Sequence, residues 1–404
     1  MRSLRILMVA PQPFFRARGT PFSILHRIRA LVEAGHSVVL VTYPFGEEPS
    51  LPGLRIFRSR RLPLIKDVKI GPSFSKLLLD IPLYIVTRRL LHQRDFDVLH
   101  SHEEAAFFAV GLARRHGLRH IYDMHSSLPQ QLRNFSAYDF RFVRKLFEWL
   151  ERRVLLTCDG IITICPELAE TATTVAPGTP HAMIENTAEN TKVFGDNLED
   201  LRAQLNLKNK QVIVYTGTFE RYQGLDLLLQ AFSQVLKNHS RAHLLMVGGN
   251  AEQIDRYRRV AQTLGNETAI TFAGTVHPSR IPSFLTAADL IVSPRSRGTN
   301  TPLKIYDYMR SRRPLVATDL PTHTQVLDDR VACLVPPNET GLAQGMARLL
   351  DDPALGAQLA EAAAMRAKEH FSDQMYLDKV REFYERAAAP MLDRQAHEPV
   401  PLQS

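Results

Sequence analysis

The sequence predicts an α/β protein built from two doubly wound domains in series. Three observations carry that reading. Short apolar runs alternate with amphipathic helical runs along most of the chain. Small-residue loops follow many of the apolar runs, the place where doubly wound folds put their ligand sites. A polar stretch over 185–208 interrupts the alternation once, after which it restarts. The 404 residues also exceed one ordinary core, so two domains of roughly 200 residues are expected.

The elements follow in order. Residues 5–10 read as a strand, 11–20 as a loop, and 21–34 as a helix with Ile24, Leu25, Ile28 and Leu31 on one face. Gly35 and His36 end that helix before a strand at 37–42. Further strands are expected at 54–57, 98–100, 120–122, 160–163 and 182–184, with helices at 105–115 and 142–157. Beyond the interruption come strands at 211–216, 243–247, 270–272 and 290–293, separated by helices at 225–236, 251–264 and 281–287. A strand at 331–335 and helices at 340–351, 357–370 and 373–388 complete the chain. The polar tail after Pro390 is expected to be disordered. Strands alternating with helices imply parallel sheets covered on both faces, and two such domains predict a cleft between the carboxyl ends of their sheets.

Composition excludes several function classes. Hydrophobic content of 45% and charge content of 23% describe a globular protein. The three cysteines, Cys158, Cys165 and Cys333, fit no disulfide or metal framework, which points to a reducing cytoplasm. No run reaches the roughly 20 apolar residues of a membrane span. The net charge of +8 is uneven: residues 1–190 carry 25 basic against 18 acidic groups, and the rest carry 25 against 24. Its densest patch, Arg55 to Lys76, interleaves Arg58, Arg60, Arg61, Lys66 and Lys69 with Leu62, Leu64 and Ile65. Such a segment suits an anionic membrane surface. Nucleic acid is not expected, because no recognition module accompanies the charge.

Ser293 to Asp319 is the most informative stretch: a strand end, a loop of Pro, Gly, Thr and Asn, then a short helix. Free backbone N–H groups there suit a phosphate. Lys304 adds a positive charge, and Asp307 adds a carboxylate able to hold ribose hydroxyls. Thr299, Asn300 and Thr301 line the loop. The segments around Gly217 and Thr218, Gly248 and Gly274 repeat the theme of a glycine turn after a strand, with Arg221 as a further cation. In the first half, Gly19 allows close backbone approach, though no dinucleotide fingerprint surrounds it. His125, His102 and Glu103 follow neighbouring strands and gather titratable groups at the sheet's carboxyl edge. His100, His102 and Glu103 match no zinc spacing, and Asp95-Phe-Asp97 precedes its strand, so no metal is expected.

These pieces together resemble the retaining glycosyltransferases of family 4. The resemblance rests on LVEAGHSVVLVT, FDVLHSHEEAA, HIYDMHSSLP, RRVLLTCDGIITICPELAE, YTGTFERYQGLDLLLQAF, ITFAGTVHPSRIPSFLTAADLIVSP and TPLKIYDYMRSRRPLVATDLPTHTQVL, in that order. It implies the GT-B fold, two Rossmann-like domains facing a central cleft. Residues 1–188 would bind the acceptor, with the helix near 373–390 packing back on them, and 189–372 would bind a nucleotide sugar. The donor is then a nucleoside diphosphate sugar, and no other cofactor is implied. The acceptor is a hydroxyl of a glycan, a lipid-linked species or a small molecule. The family histidine that contacts the transferred sugar falls on His125, and the second of its two signature glutamates falls on Asp307. The first falls on Thr299, and the usual Arg and Lys of the diphosphate clamp fall on Thr218 and Gln223. Arg221, Lys304, Arg295 and Arg297 are the cations at hand to replace them. A non-catalytic or epimerase-type protein that binds a nucleotide sugar is the alternative. Either would be cytoplasmic, with peripheral contact at the inner face of a membrane.

Overall fold

The computed structural model describes residues 3–15, 19–49, 51–63, 65, 68, 73–127, 129, 141–185, 187, 200–298 and 300–395. It divides into two compact units. One comprises Met1–Glu185 with Gln374–Ser404, the other Asn186–Asp373.

The first unit is a seven-stranded sheet. Its strands are β1 (Arg5–Ala10), β2 (Ser37–Thr42), β3 (Leu54–Arg58), β4 (Val98–His102), β5 (Arg119–Met124), β6 (Gly160–Thr163) and β7 (His181–Met183), in the order β3-β2-β1-β4-β5-β6-β7. Every pairing is parallel, so all strands end on one edge. The helices are α1 (Gly19–Glu33), α2 (Phe74–Gln93), α3 (Ala106–His116), α4 (Arg141–Thr157) and α5 (Pro166–Val175). The order reverses between β1 and β4, which makes the loops after those two strands the switch point. Asp97 fixes the opposite edge: its Oδ2 accepts from the Arg5 backbone N–H at 2.7 Å.

The second unit holds α6 (Leu201–Gln204), β8 (Gln211–Thr216), α7 (Leu225–Leu236), β9 (Ala242–Val247), α8 (Ala251–Thr263), β10 (Ile270–Gly274), α9 (Ile281–Thr286) and β11 (Leu290–Ser293). It continues with α10 (Lys304–Arg310), β12 (Leu315–Thr318), α11 (Pro321–Thr324), β13 (Cys333–Val335), α12 (Glu339–Asp351) and α13 (Pro353–His370). The six-stranded order β10-β9-β8-β11-β12-β13 is parallel throughout and switches between β8 and β11.

A last helix, α14 (Asp373–Gln395), begins at the second unit's end and returns to the first. Tyr376, Val380, Phe383, Tyr384 and Ala387 enter the same apolar cluster as Ile6, Met8 and Ile121. The fit is close, since a methyl on Gly160 would lie 2.9 Å from the Phe383 ring.

Three expectations change. The segment 185–208 is not wholly a linker: Leu201 and Leu207 are buried in the second unit's core beside Val212 and Leu245. The helix expected to stop at 388 continues to Gln395, into the tail expected to be disordered, and 396–404 lie outside the described residues. The basic patch from Arg55 to Lys76 is partly consumed by the fold. Arg58 donates to the Phe14, Phe45 and Glu47 carbonyls, and Lys76 is buried with Nζ 3.2 Å from Glu104. Arg55, Arg60 and Arg61 stay exposed, while Leu64, Lys66 and Lys69 lie outside the described residues. Among the described residues, no helix is long and apolar enough to cross a membrane.

Candidate functional site

The second unit assembles its loops through glycines. After β8 the Gly217 N–H donates to the Val247 carbonyl at 2.9 Å, and one strand over the Gly248 N–H donates to the Gly274 carbonyl at 2.8 Å. Gly248 has φ +124°, and a methyl there would fall 1.9 Å from the Gly217 oxygen. Only a residue without Cβ allows both the conformation and the contact. The expected Gly217, Gly248 and Gly274 are therefore brought edge to edge along the carboxyl ends of β8, β9 and β10.

The loop after β8 is also laced to the loop after β11. A methyl on Gly224 would lie 1.9 Å from the Pro294 oxygen, and the Ser296 N–H donates to the Tyr222 carbonyl at 3.0 Å. Arg295 holds the second loop from within: Nη1 donates to the Asn300 carbonyl at 2.7 Å and to Thr322 Oγ1, and the guanidinium lies 5.1 Å from the Tyr222 ring centroid. His323 pins the strand ends beneath. Its ring bridges Ser293 Oγ at 2.9 Å and the Thr318 carbonyl at 2.8 Å, and burial pushes its pKa down to about 3.

Lys304 stands at the crossing of these loops. Its Nζ donates to the Thr216 carbonyl at 3.1 Å and to Gln223 Oε1 at 3.2 Å, and lies 4.1 Å from the Tyr215 ring centroid. All three partners are neutral. Burial holds its pKa well below the ordinary lysine value, and Arg295 adds to that. An ammonium partly withdrawn from water and given, among the described residues, neutral hydrogen-bond partners is suited to an incoming anion. Its support is rigid, because the Tyr308 hydroxyl bonds to the Thr216 carbonyl at 3.0 Å and the Tyr215 hydroxyl donates to the Thr218 carbonyl at 2.8 Å.

The other expected residues of this unit fall around it. Asp307 is half-buried on α10, one turn beyond Lys304, and Thr301 is buried. Thr218 is half-buried, with Oγ1 3.5 Å from Gln223 Nε2. Arg221 and Arg297 are exposed. Thr299 lies outside the described residues.

The first unit gathers a second polar cluster at the ends of β4 and β5. His102 Nδ1 and His125 Nε2 are 2.9 Å apart, and the carboxylate of Asp123 lies 3.3 Å from His100 Nε2 and 3.5 Å from His125 Nε2. Arg27, reaching from α1, donates to Asp123 Oδ2 at 2.8 Å, and His100 Nδ1 bonds to the Tyr384 hydroxyl of α14. Burial alone would raise the Asp123 pKa, yet Arg27 and the histidines outweigh it and hold the group well below the usual carboxylate range. Burial drives the His102 pKa well down and lowers that of His100. His100, His102 and Asp123 place one ligand atom each within 4.8 Å of one another. A cation there would compete with a guanidinium already bound to the same carboxylate.

His100, His102 and Asp123 are fully buried, and His125 nearly so. Glu103, also buried, accepts from Gln12 Nε2 at 2.5 Å and Thr20 Oγ1 at 3.3 Å, with Lys76 Nζ at 3.7 Å. It has φ +46°, a strained conformation for a non-glycine residue. Gly19, the first residue of α1, is exposed, and nothing lies within 4 Å of where its Cβ would be, so no packing contact requires a glycine there.

Arg27, Asp123 and His323 were not singled out from the sequence. Asp123 sits in HIYDMHSS two residues before His125, where a carboxylate near the end of a strand was the available signal.

Comparison with known proteins agrees with this architecture. Residues 18–186 match the family described as Glycosyltransferase Family 4, and residues 210–352 match Glycosyl transferases group 1. The chain is 24% identical over 367 residues to alpha-D-kanosaminyltransferase of Streptomyces kanamyceticus, covering 83% of this chain and 92% of that one. It is 25% identical over 394 residues to phosphatidyl-myo-inositol mannosyltransferase of Mycobacterium leprae, covering 95% and 97%. Among solved structures, sucrose-phosphate synthase from Thermosynechococcus elongatus superposes with a TM-score of 0.73 at 21% identity, over 98% of this chain and 99% of that one. Anabaena HepE in complex with UDP-glucose gives 0.72 at 16% identity, over 95% and 100%.

Proposed function

The chain belongs to the family 4 and group 1 glycosyltransferases, and from that premise we propose a retaining transfer from a nucleoside diphosphate sugar to an acceptor hydroxyl. The observation that carries the donor half is Lys304, a part-buried lysine whose ammonium has, among the described residues, the Thr216 carbonyl and the Gln223 amide oxygen as its hydrogen-bond acceptors. A diphosphate is the anion it lacks. Gln223 stands where the family resemblance expects a clamp lysine, and Lys304 delivers its charge to that place from α10 instead.

In this reading the bond from the anomeric carbon to the diphosphate oxygen breaks, and its electron pair leaves with the phosphate. The acceptor oxygen forms the new bond on the same face, and its proton passes to the departing phosphate. Lys304 meets the charge as it grows on the leaving group, at a fixed distance and in low dielectric. The turns at Gly217, Gly248 and Gly274 let backbone approach the nucleotide, and Asp307 binds ribose hydroxyls. Thr218, Arg221, Asn300 and Thr301 complete the donor set. His125, His102 and Glu103, with Gly19, belong to the acceptor side, where His125 contacts the transferred sugar. HepE binding UDP-glucose makes a uridine donor the first to try. The mannosyltransferase relative, by its name, works on phosphatidyl-myo-inositol, which favours a lipid-linked acceptor at a membrane's inner face.

The test is a panel of nucleoside diphosphate sugars incubated with and without acceptors. Release of nucleoside diphosphate only when acceptor is present, with an anomeric configuration preserved by NMR, is the expected result. Sugar isomerisation without release, or saturable binding without turnover, would sink it.

A further inference from the structure

We infer that the helical layer of α2, α3 and α4 is a docking surface for an anionic lipid bilayer. This inference does not rest on the glycosyl-transfer reading. It is a different surface from the patch expected from the sequence at Arg55–Lys76, of which the fold takes up Arg58 and Lys76.

The described residues leave nine large hydrophobic side chains exposed, and seven of them lie on two helices of one layer. On α2 they are Leu77, Leu78, Ile81 and Ile85, and on α4 they are Leu146, Trp149 and Leu156. Ile81, Ile85 and Trp149 are 59%, 57% and 56% exposed. Spacings of four residues on α2, and of three and seven on α4, set each group on one outward stripe. The two helices flank α3 on the same side of the sheet. Tyr84 of α2 packs on Phe108 with ring centroids 5.6 Å apart, and Phe107 packs on Phe147 of α4 at 5.9 Å. A concentration of aliphatic and indole surface in one layer is unusual on a solvated protein.

Charge decides the occupant. Across the three helices the exposed basic residues are Arg88, Arg89, Arg114, Arg115, Lys145, Arg152 and Arg153, against Glu148 as the exposed acidic one. The other acids of the layer are turned inward: Asp80 bonds to the Tyr43 hydroxyl at 2.7 Å, and Glu151 is buried against Ser127 at 2.9 Å. Basic residues extend both stripes. Arg88 and Arg89 follow Ile85 by three and four residues, and Arg153 lies 5.6 Å from the Trp149 ring centroid. Apolar side chains ringed by arginines fit the boundary between acyl chains and anionic headgroups. A second copy of the same face would bring like charges together.

Trp149 is the only tryptophan in the chain, so its emission reports this surface directly. The experiment is flotation and fluorescence of the full chain with phosphatidylglycerol–phosphatidylcholine vesicles, and with phosphatidylcholine vesicles alone, at low and raised salt. Expected are co-flotation and a blue shift with the anionic vesicles at low salt, both weakened by salt and by removal of phosphatidylglycerol. The R152E/R153E and I81S/I85S variants, altered at exposed positions and checked by thermal melting, should each lose binding by on the order of tenfold. An unshifted Trp149 on anionic vesicles would overturn the proposal. So would undiminished flotation of I81S/I85S, or self-association of the wild type that the same variant abolishes.

Discussion

Lys304 and Gln223 share a hydrogen bond of 3.2 Å, ammonium to amide oxygen, so the cation of one loop is steadied by a neutral group of the other. Such an arrangement keeps a charge in reserve. Replacing Lys304 with Met should weaken binding of a nucleoside diphosphate by about 1.5–3 kcal/mol, the range of a charge-assisted hydrogen bond. Gln223→Glu should weaken it too, while leaving the melting temperature equal or higher, because the new carboxylate answers Lys304 before the ligand arrives. Calorimetric titration of both variants is the check. Wild-type affinity in Gln223→Glu would remove Lys304 from the anion site.

A proton should accompany the donor. Burial depresses the Lys304 pKa in the folded protein below its value in the unfolded chain. The unfolded state therefore holds more protons in the window between the two values, and stability rises with pH through it and falls as pH drops. A bound diphosphate restores the preference for the charged form, so binding within that window takes up a fraction of a proton. Calorimetry at mildly alkaline pH, in buffers of different ionisation enthalpy, should show uptake in the wild type and none in Lys304→Met. Equal uptake in both would assign the proton elsewhere.

Arg27 and Asp123 form an ion pair that is buried on both sides. Removing one partner strands the other, so Asp123→Leu or Arg27→Met should each cost about 3–5 kcal/mol. The double variant Arg27→Met with Asp123→Leu should recover part of the loss. Denaturant unfolding measures all three, and strict additivity would mean that the pair is not coupled.

Two glycines at strand ends should answer differently to the same methyl. Gly248→Ala forces a carbon to within 1.9 Å of a carbonyl oxygen at φ +124° and should both destabilise the second unit and impair donor binding. Gly19→Ala meets nothing within 4 Å, and its stability should stay within about 0.5 kcal/mol of wild type. Thermal melts separate the two, and a fragile Gly19→Ala would reveal a backbone constraint at the start of α1.

The elements that were legible in the sequence are those with strong periodicity. Leu225–Leu236 matches its expected helix end to end, because an apolar stripe and a glycine start it and the stripe alone sets its length. Boundaries slipped where tertiary bonding overrode local signals, as at β4, which runs on to His102 because β5 pairs with it through Asp123. The lysine of the candidate site was readable as a charge near a strand end. Its partners were not, since the bond to Gln223 spans 81 positions and depends on two loops meeting at Gly224 and Pro294. The fate of Arg58 and Lys76 was hidden for the same reason: local composition shows a charge but not the carbonyls or carboxylates that distant segments bring to it.

Helix α14 has a consequence for the order in which the protein is made. A ribosome releases the first unit's seven strands, then the entire second unit, and only afterwards Tyr376, Val380, Phe383 and Tyr384. The second unit can close its core while translation continues, but the first must wait with Ile6, Met8 and Ile121 uncovered and His100 lacking its tyrosine. Chaperone dependence should therefore concentrate on the amino-terminal half of the nascent chain, and a stop codon just before Tyr376 should leave a folded second unit attached to an aggregation-prone first.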